Sequence, residues 1–470
     1  MDASPSQVKV IFTTSEQDLQ LPESKQQLLV PADIKRYGLS RILNSESMLA
    51  TSAPVPLDFL ANGTFLRTSV EEYLATNGLS SESTLTLQYV RSLLPPVYEA
   101  SFEHDDWVGA IDLLSETTPY GGPGVPERVA SASYDGLVRI WNPSGQTIAT
   151  SAAGRGGGHS KRLEAVRWLS PTQLASAGLD CKIVVWDYSE SEDGFSGTLK
   201  HNMELWGHDR VINSIDVNAA SKRILTASSD GKVGLWSSSK RTAPQAEPET
   251  LPSAHTTKKA KLASNESTAQ RGPLALFPMH DDKVTAAIFH PDDRSVAYSA
   301  SMDHTLKTID LTTQREVARL TTMHPIMCAA AIPGSSLVAA GSSARHITLL
   351  DPREGAASTA AMTLRGHVNF VSSLAPSPEN SHSLVSGSWD STCRVWDLRS
   401  VRHVTSEEGS GSVSEPVYSI GREWLKNKKL PVAGEGAKVL SVAWDKTWGI
   451  VSAGEDKKVQ INRGRGLVAS

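Results

Sequence analysis

The sequence predicts a mainly β chain, a seven-bladed β-propeller preceded by a small α+β domain of the ubiquitin-like β-grasp kind. Three observations carry that reading. A unit ending in a tight Asp turn and an apolar or Trp-bearing strand recurs seven times after the first hundred or so residues. The residues before it alternate strands with two short helices, in an order suited to a β-grasp. The stretch Val97 to Phe102, just ahead of the first unit, reads as the outer strand that the last unit lacks near residue 463.

The N-terminal elements follow from periodicity. Val8, Val10 and Phe12 alternate as a strand, and Leu28 to Val30 form a second, with a polar turn at Gln17 and Asp18 between them. Pro31, Ala32 and Asp33 lead into a helix whose apolar positions Ile34, Tyr37, Leu39, Ile42 and Leu43 are expected on one face. A strand follows at Leu57 to Leu60, and Asn62-Gly63 makes a hairpin-type turn. A short helix with Val70, Tyr73 and Leu74 ends at Asn77-Gly78, and Leu85, Leu87 and Tyr89 form the last strand. Residues 1–95 are therefore read as one domain and 96–470 as the propeller, with Leu94, Pro95 and Pro96 at the junction.

Thr363 to Arg399 is the fullest copy of the repeat. It begins with Gly366 and His367, continues through the strand Val371 to Leu374, and turns at Ser386, Gly387, Ser388, Trp389 and Asp390 before Val395, Trp396 and Asp397. In such a unit the His, the turn Asp, the strand hydroxyl and the Trp can join in a hydrogen-bonded chain, and the Trp supplies much of the packing. The spacing recurs as Ser131, Asp135 and Trp141, then as Ser176, Asp180 and Trp186 behind Gly158-His159. Thr226, Asp230 and Trp236 stand behind Gly207-His208, and Ser299, Asp303 and Ile309 keep the turn without the Trp. Residues 337–352 keep the outline around Gly341, Leu350 and Asp351 but place Ala344 where the Asp belongs, and the last unit has Ser452, Asp456 and Asn462. His159, His208 and His367 are read as structural, and His104 and His280 precede their units without the usual glycine.

Two insertions interrupt the repeats. Residues 237–272 are rich in Ser, Thr, Ala and Pro and are expected to be disordered; they carry Lys258, Lys259 and Lys261, a candidate nuclear import cluster or a solvated charge run. Residues 404–435 are read as a surface loop, acidic and Gly/Ser-rich at first and then basic around Trp424, Leu425, Lys426, Lys428 and Lys429.

Bulk composition points away from several classes. Hydrophobic residues make up 39% and charged residues 21%, as in ordinary globular proteins, and no apolar run reaches membrane-span length. The net charge of -5 does not suit a surface built mainly for nucleic acid. No apolar leader precedes the first strand, and Cys181, Cys328 and Cys393 lack paired spacing, so a reduced intracellular setting is expected. No zinc-type spacing, phosphate loop or nucleophile elbow occurs. The cluster Gly154, Gly156, Gly157, Gly158 leads into a blade instead of a helix and reads as an inter-blade loop. The turn aspartates sit in different blades and cannot act as a catalytic pair. The expectation is a non-enzymatic protein without a cofactor or metal of its own.

The strings Leu39-Ser40 through Val55, Pro56, Leu57, Asp58, Phe59, Leu60, and Leu66, Arg67, Thr68, Ser69 through Gly78, Leu79, Ser80, Ser81, Glu82, resemble the Notchless-like (NLE) domain. Joined to seven WD40-type units, the whole chain resembles the WD-repeat subunits of the PeBoW ribosome-assembly complex. Notchless itself shares the N-terminal domain but has a longer propeller. The resemblance implies work on large-subunit (60S) precursors and their rRNA maturation, in the nucleolus and nucleoplasm. It implies partners of the pescadillo type and the block-of-proliferation WD-repeat type, and the pre-60S particle. It also implies docking of the N-terminal domain on the adhesion site of midasin, a giant AAA ATPase, where an acidic residue completes the shell of a Mg²⁺ held by the partner. By motif that residue is Glu82; read without the resemblance it is a solvated loop acid.

Two other readings stay open at this level. Trp396, Asp397, Leu398 and Arg399 spell the Trp-Asp-x-Arg box of substrate receptors for cullin-RING ubiquitin ligases, partly echoed by Asp351, Pro352 and Arg353. Direct RNA contact through the basic stretch near Trp424 is the second; a salt-insensitive association with pre-ribosomes would count against it.

Overall fold

A computed structural model describes residues 6–51, 53–80, 82–154, 157–251, 269–353, 361–406, 409–428 and 431–464. The described chain forms two compact units: Met1–Leu94 with Leu398–Ser414, and Pro95–Asp397 with Glu415–Ser470.

In the first unit the strands are β1 (Gln7–Thr13), β2 (Gln27–Pro31), β3 (Leu57–Ala61), β4 (Thr64–Phe65) and β5 (Leu85–Arg91), in sheet order β2-β1-β5-β3-β4. β1 and β5 run parallel, with Val10 beside Leu85, and the other pairings are antiparallel. That is the β-grasp arrangement. Period-two alternation drives Val8, Val10 and Phe12 into a core with Phe59, Leu87 and Tyr89. Helices α1 (Arg36–Leu43) and α2 (Val70–Thr76) cover it through Leu39, Leu43, Val70 and Leu74. Tyr37 does not share that face and is 74% exposed, because a position two residues from Leu39 points to the opposite side of a helix. The Ser69 hydroxyl caps α2 by accepting the Glu72 N–H at 3.3 Å, while Glu72 brings negative charge to the first turn.

A later segment completes this unit. The Val401 N–H donates to the Gly63 carbonyl at 2.8 Å, and the Ser400 hydroxyl accepts from the Phe65 N–H at 3.4 Å, so the β3–β4 turn is held from 335 residues away. The expected division at residue 95/96 had placed this segment in the propeller.

The second unit consists of seven sheets built around a central cavity of about 520 Å³. Innermost strands Val108–Leu114, Leu163–Ser170, Ile212–Asn218, Val284–Phe289, Ile326–Ala331, Val371–Pro376 and Val439–Asp445 belong to blades one to seven. Side chains stitch neighbours together: Asn213 Nδ2 donates to the Val284 carbonyl (2.7 Å), the Thr285 hydroxyl to Ile326 (2.9 Å) and the Ser372 hydroxyl to Val439 (2.6 Å). Strand β6 (Pro96–Glu103) closes the ring by pairing antiparallel with Lys458–Gly464 of blade seven. No helix among the described residues is long and apolar enough to cross a membrane.

Both insertions differ from their expected character. Residues 238–251 and 269–272 are tied down: Ala243 is buried, Gln245 bridges to Arg271, and Ala269–Arg271 adds a parallel fifth strand to blade two. Lys258, Lys259 and Lys261 lie outside the described residues. The stretch 404–435 is not a loop throughout. It holds most of a hairpin (Arg402–Ser406 with Gly409–Ser414) and the fourth strand of blade six (Tyr418–Gly421), which pairs with Thr392–Val395. A 3-10 turn at Glu423–Leu425 follows.

Candidate docking site and the blade networks

The C-terminal end of α2 builds the loop that bears Glu82. Asn77 and Gly78 close the helix through N–H bonds to Tyr73 (3.1 Å) and Ala75 (3.2 Å), and Gly78 takes φ +65°, a conformation that glycine adopts without a Cβ clash. The Ser80 hydroxyl then accepts the Glu82 N–H at 3.2 Å, and the Ser83 hydroxyl donates back to the Ser80 carbonyl at 2.6 Å. Buried Leu74 on one side and Leu85 on the other anchor this turn to the core. The Glu82 carboxylate is exposed, with no hydrogen bond or ion pair among the described residues. A solvated carboxylate on a braced turn can offer oxygen to an external cation or donor. One carboxylate does not hold a metal by itself, and no group of three or more His, Cys, Asp or Glu among the described residues is placed to do so.

The blade residues come together as networks. In blade two, His159 Nδ1 donates to Asp180 (2.9 Å), its Nε2 accepts from the Ser176 hydroxyl (2.8 Å), and Trp186 Nε1 donates to the same hydroxyl (2.8 Å). Blade three repeats this with His208, Asp230, Thr226 and Trp236, and blade six with His367, Asp390, Ser386 and Trp396. Burial pushes the Asp230 and Asp390 carboxyls up, but the histidine bonds and backbone N–H groups prevail and hold each at about 2. Burial also keeps the His367 imidazole below its ordinary value against the pull of Asp390. In blade four, His280 bonds Asp303 (2.8 Å) and Ser299 (2.8 Å), and Ile309 replaces the indole. The hydroxyls that join these networks, Ser176, Thr226, Ser299 and Ser386, are fully buried, so the networks act inside the blades.

Blade one breaks the pattern. Trp141 still donates to Ser131 (2.7 Å), but Asp135 turns to Arg139 (2.7 Å), and both ring nitrogens of buried His104 have no hydrogen-bond partner among the described residues. The ring packs 4.9 Å from Trp141, and burial, with Arg139 nearby, lowers the imidazole to about 4.

Blade seven holds a residue that the repeat reading missed. Arg422 occupies the histidine position: Nε and Nη2 grip the Asp456 oxygens at 2.7 Å each, and Nη1 donates to Ser452 Oγ at 2.8 Å. Its Nη2 also donates to the Lys458 carbonyl at 2.8 Å. The signal was Gly421-Arg422-Glu423, a Gly-basic-acidic triplet where other units have Gly-His. Trp424, read as part of a basic surface loop, donates to Asp456 (2.9 Å); Lys426 pairs with Glu423 (3.1 Å) and Lys428 lies over the Trp424 ring. Arg399 donates to the Arg91 carbonyl at 3.1 Å and lies 3.7 Å from Glu16, both within the first unit.

The comparisons with known proteins agree with this architecture. The NLE (NUC135) domain model matches residues 8–74, and the WD domain, G-beta repeat model matches 97–142, 198–237, 271–310 and 358–397. Ribosome biogenesis protein YTM1 of Chaetomium globosum is 60% identical over 100% of this chain and 99% of its own length. Its namesake in Chaetomium thermophilum is 60% identical over 99% of this chain and 97% of its own length, and that in Aspergillus terreus is 50% identical over 100% and 98%. The crystal structure of the WD40 beta propeller domain of Doa1 superimposes with a TM-score of 0.54 at 17% identity, covering 80% of this chain and 100% of that one; this likeness speaks to fold alone.

Proposed function

The chain belongs to the family of ribosome biogenesis proteins YTM1, and from that premise we propose that it is a non-enzymatic assembly factor of the large ribosomal subunit acting in the nucleolus and nucleoplasm. In this reading the propeller is a scaffold for pescadillo-type and block-of-proliferation-type partners on the pre-60S particle. The N-terminal domain is the handle by which a midasin-type AAA ATPase pulls the subcomplex away. Glu82 supplies one oxygen to a Mg²⁺ that the partner holds, and a hard cation with an open position suits a carboxylate. The observation that supports this most is the Glu82 carboxylate itself, exposed, without a partner among the described residues, and presented on a turn braced by Ser80 and Ser83.

The ligase-receptor reading has less support. The arginine of its box, Arg399, is engaged by Arg91 and Glu16 of its own unit. Direct RNA contact near Trp424 is likewise weakened, because that indole and the lysines at 426 and 428 serve local contacts.

The test is binding of the full chain to the isolated midasin adhesion domain, with Mg²⁺ and with chelator. Metal-dependent binding that disappears in Glu82→Ala, with the melting temperature unchanged, supports the handle. Binding indifferent to both metal and Glu82 removes it.

A further inference from the structure

On the ring face opposite the His–Asp networks, between blades two and three, lies an open cavity of about 540 Å³. Its lining is apolar at Leu169 and Val217 and cationic at the rim, where Lys222, Lys240 and Arg241 are exposed. None of the three forms an ion pair among the described residues. Asp187, the carboxylate that two lining residues touch, is taken up by the side-chain amides of Gln173 (2.7 Å) and Asn202 (2.5 Å). Asp187 keeps its charge, but Lys222, Lys240 and Arg241 outnumber it, so the rim is net positive above an apolar surface.

The loops that carry it are fixed. The Lys222 carbonyl accepts both the Ser238 N–H (3.0 Å) and the Ser238 hydroxyl (3.2 Å), locking one cation-bearing turn to the other. The Ser237 and Thr242 hydroxyls bond at 2.6 Å across the Lys240-Arg241 turn, and the Gly272 N–H donates to Pro244 at 2.9 Å behind it. Cations on pre-ordered backbone lose less freedom on binding than cations on a loose loop.

We propose that this cavity is a docking site for an acidic peptide segment of a partner protein, with an apolar side chain entering between Leu169 and Val217 and flanking carboxylates meeting Lys222, Lys240 and Arg241. Charge complementarity selects the occupant. Residues 252–268 of this chain, attached to the same loop, carry Lys258, Lys259 and Lys261 against one acid, Glu266, and so have the sign of the rim. RNA is disfavoured because the lining offers little for a base to stack on: its one aromatic, Tyr120, is partly buried and packed against a hydrophobic core.

The probe is a fluorescein-labelled peptide with a central Leu flanked by Asp and Glu, titrated against the full chain by anisotropy. The comparison is the charge-reversal variant Lys222→Glu/Lys240→Glu/Arg241→Glu, whose exposed positions leave the core intact; near-UV circular dichroism checks that. Saturable binding to the wild type, weakened at least about tenfold in the variant and by replacing the peptide Leu with Ser, supports the site. Absence of binding, equal binding to both proteins, or a labelled oligouridine that binds through these three residues in place of the peptide would overturn it.

Discussion

Replacing Arg422 with Ala should be among the more damaging single changes to the propeller. The guanidinium and the Asp456 carboxylate have side-chain exposures of 1% and 3%, so among the described residues the carboxylate left behind keeps only the Trp424 indole and the Lys458 N–H as hydrogen-bond donors. Removing one member of a buried, hydrogen-bonded pair costs about 3–5 kcal/mol, much of it the penalty on the stranded charge. For the ring unit, some 360 residues, an unfolding entropy of about 2.1 cal/mol/K per residue turns this into a fall in melting temperature of roughly 4–7 °C. Differential scanning fluorimetry on the full chain, which has 11 tryptophans, reads that shift directly. Two companions sharpen the test. Arg422→Lys should recover little, because an ammonium cannot make the forked contact to both carboxylate oxygens. Arg422→Met with Asp456→Leu should recover most of the loss, because no charge is left behind. A shift below about 1 °C in Arg422→Ala, or a double variant no better than the single, would refute the argument.

Ser386→Ala removes a fully buried hydroxyl that joins His367 to Trp396 and leaves two polar groups unpartnered, for an expected loss of about 2–4 kcal/mol; Ser386→Thr should be mild, since Thr226 fills that role in blade three, and thermal melts of both variants check it. His104 imposes a pH dependence. Its folded value of about 4 lies below the ordinary 6.5, so its contribution is complete above about 6.5 and declines as the pH falls towards 4, while the unfolded chain takes up a proton that the fold resists. At pH 5 the loss is roughly 2 kcal/mol, and His104→Phe should show a correspondingly smaller drop in melting temperature between pH 7 and pH 5 than the wild type.

The blades with a Gly-His were legible because the network confines its members to a narrow range of distances along the chain. The His-to-Asp separation is 21 residues in blade two, 22 in blade three and 23 in blade six, so the motif survives as a pattern. Blade seven hides from that search, since its cation is an arginine lying 34 residues ahead of Asp456. Nor could local periodicity find the Leu398–Ser414 segment in the first unit, whose bond from Phe65 to Ser400 spans 335 positions. Tyr37 shows a smaller failure of the same kind: an apolar residue in a short helix was assigned to the core although its angular position lies away from Leu39 and Leu43. For Glu82, charge and exposure were readable from the loop, but its proposed role came from the resemblance, because a solvated acid carries no local mark of what it meets.

The seam between β6 and blade seven also sets a timetable during synthesis. Glu103 emerges 355 residues before Lys458, its eventual neighbour, and at about 5–20 residues per second that interval is roughly 20–70 s. Throughout it, β6 is a strand edge without its mate, open to capture by other nascent chains. Glu99 and Glu103 give it negative charge, which discourages self-pairing, and the same two acids meet Arg463 (3.1 Å) and Lys458 (2.7 Å) once the ring shuts. The carboxylates that guard the waiting strand thus become part of the lock.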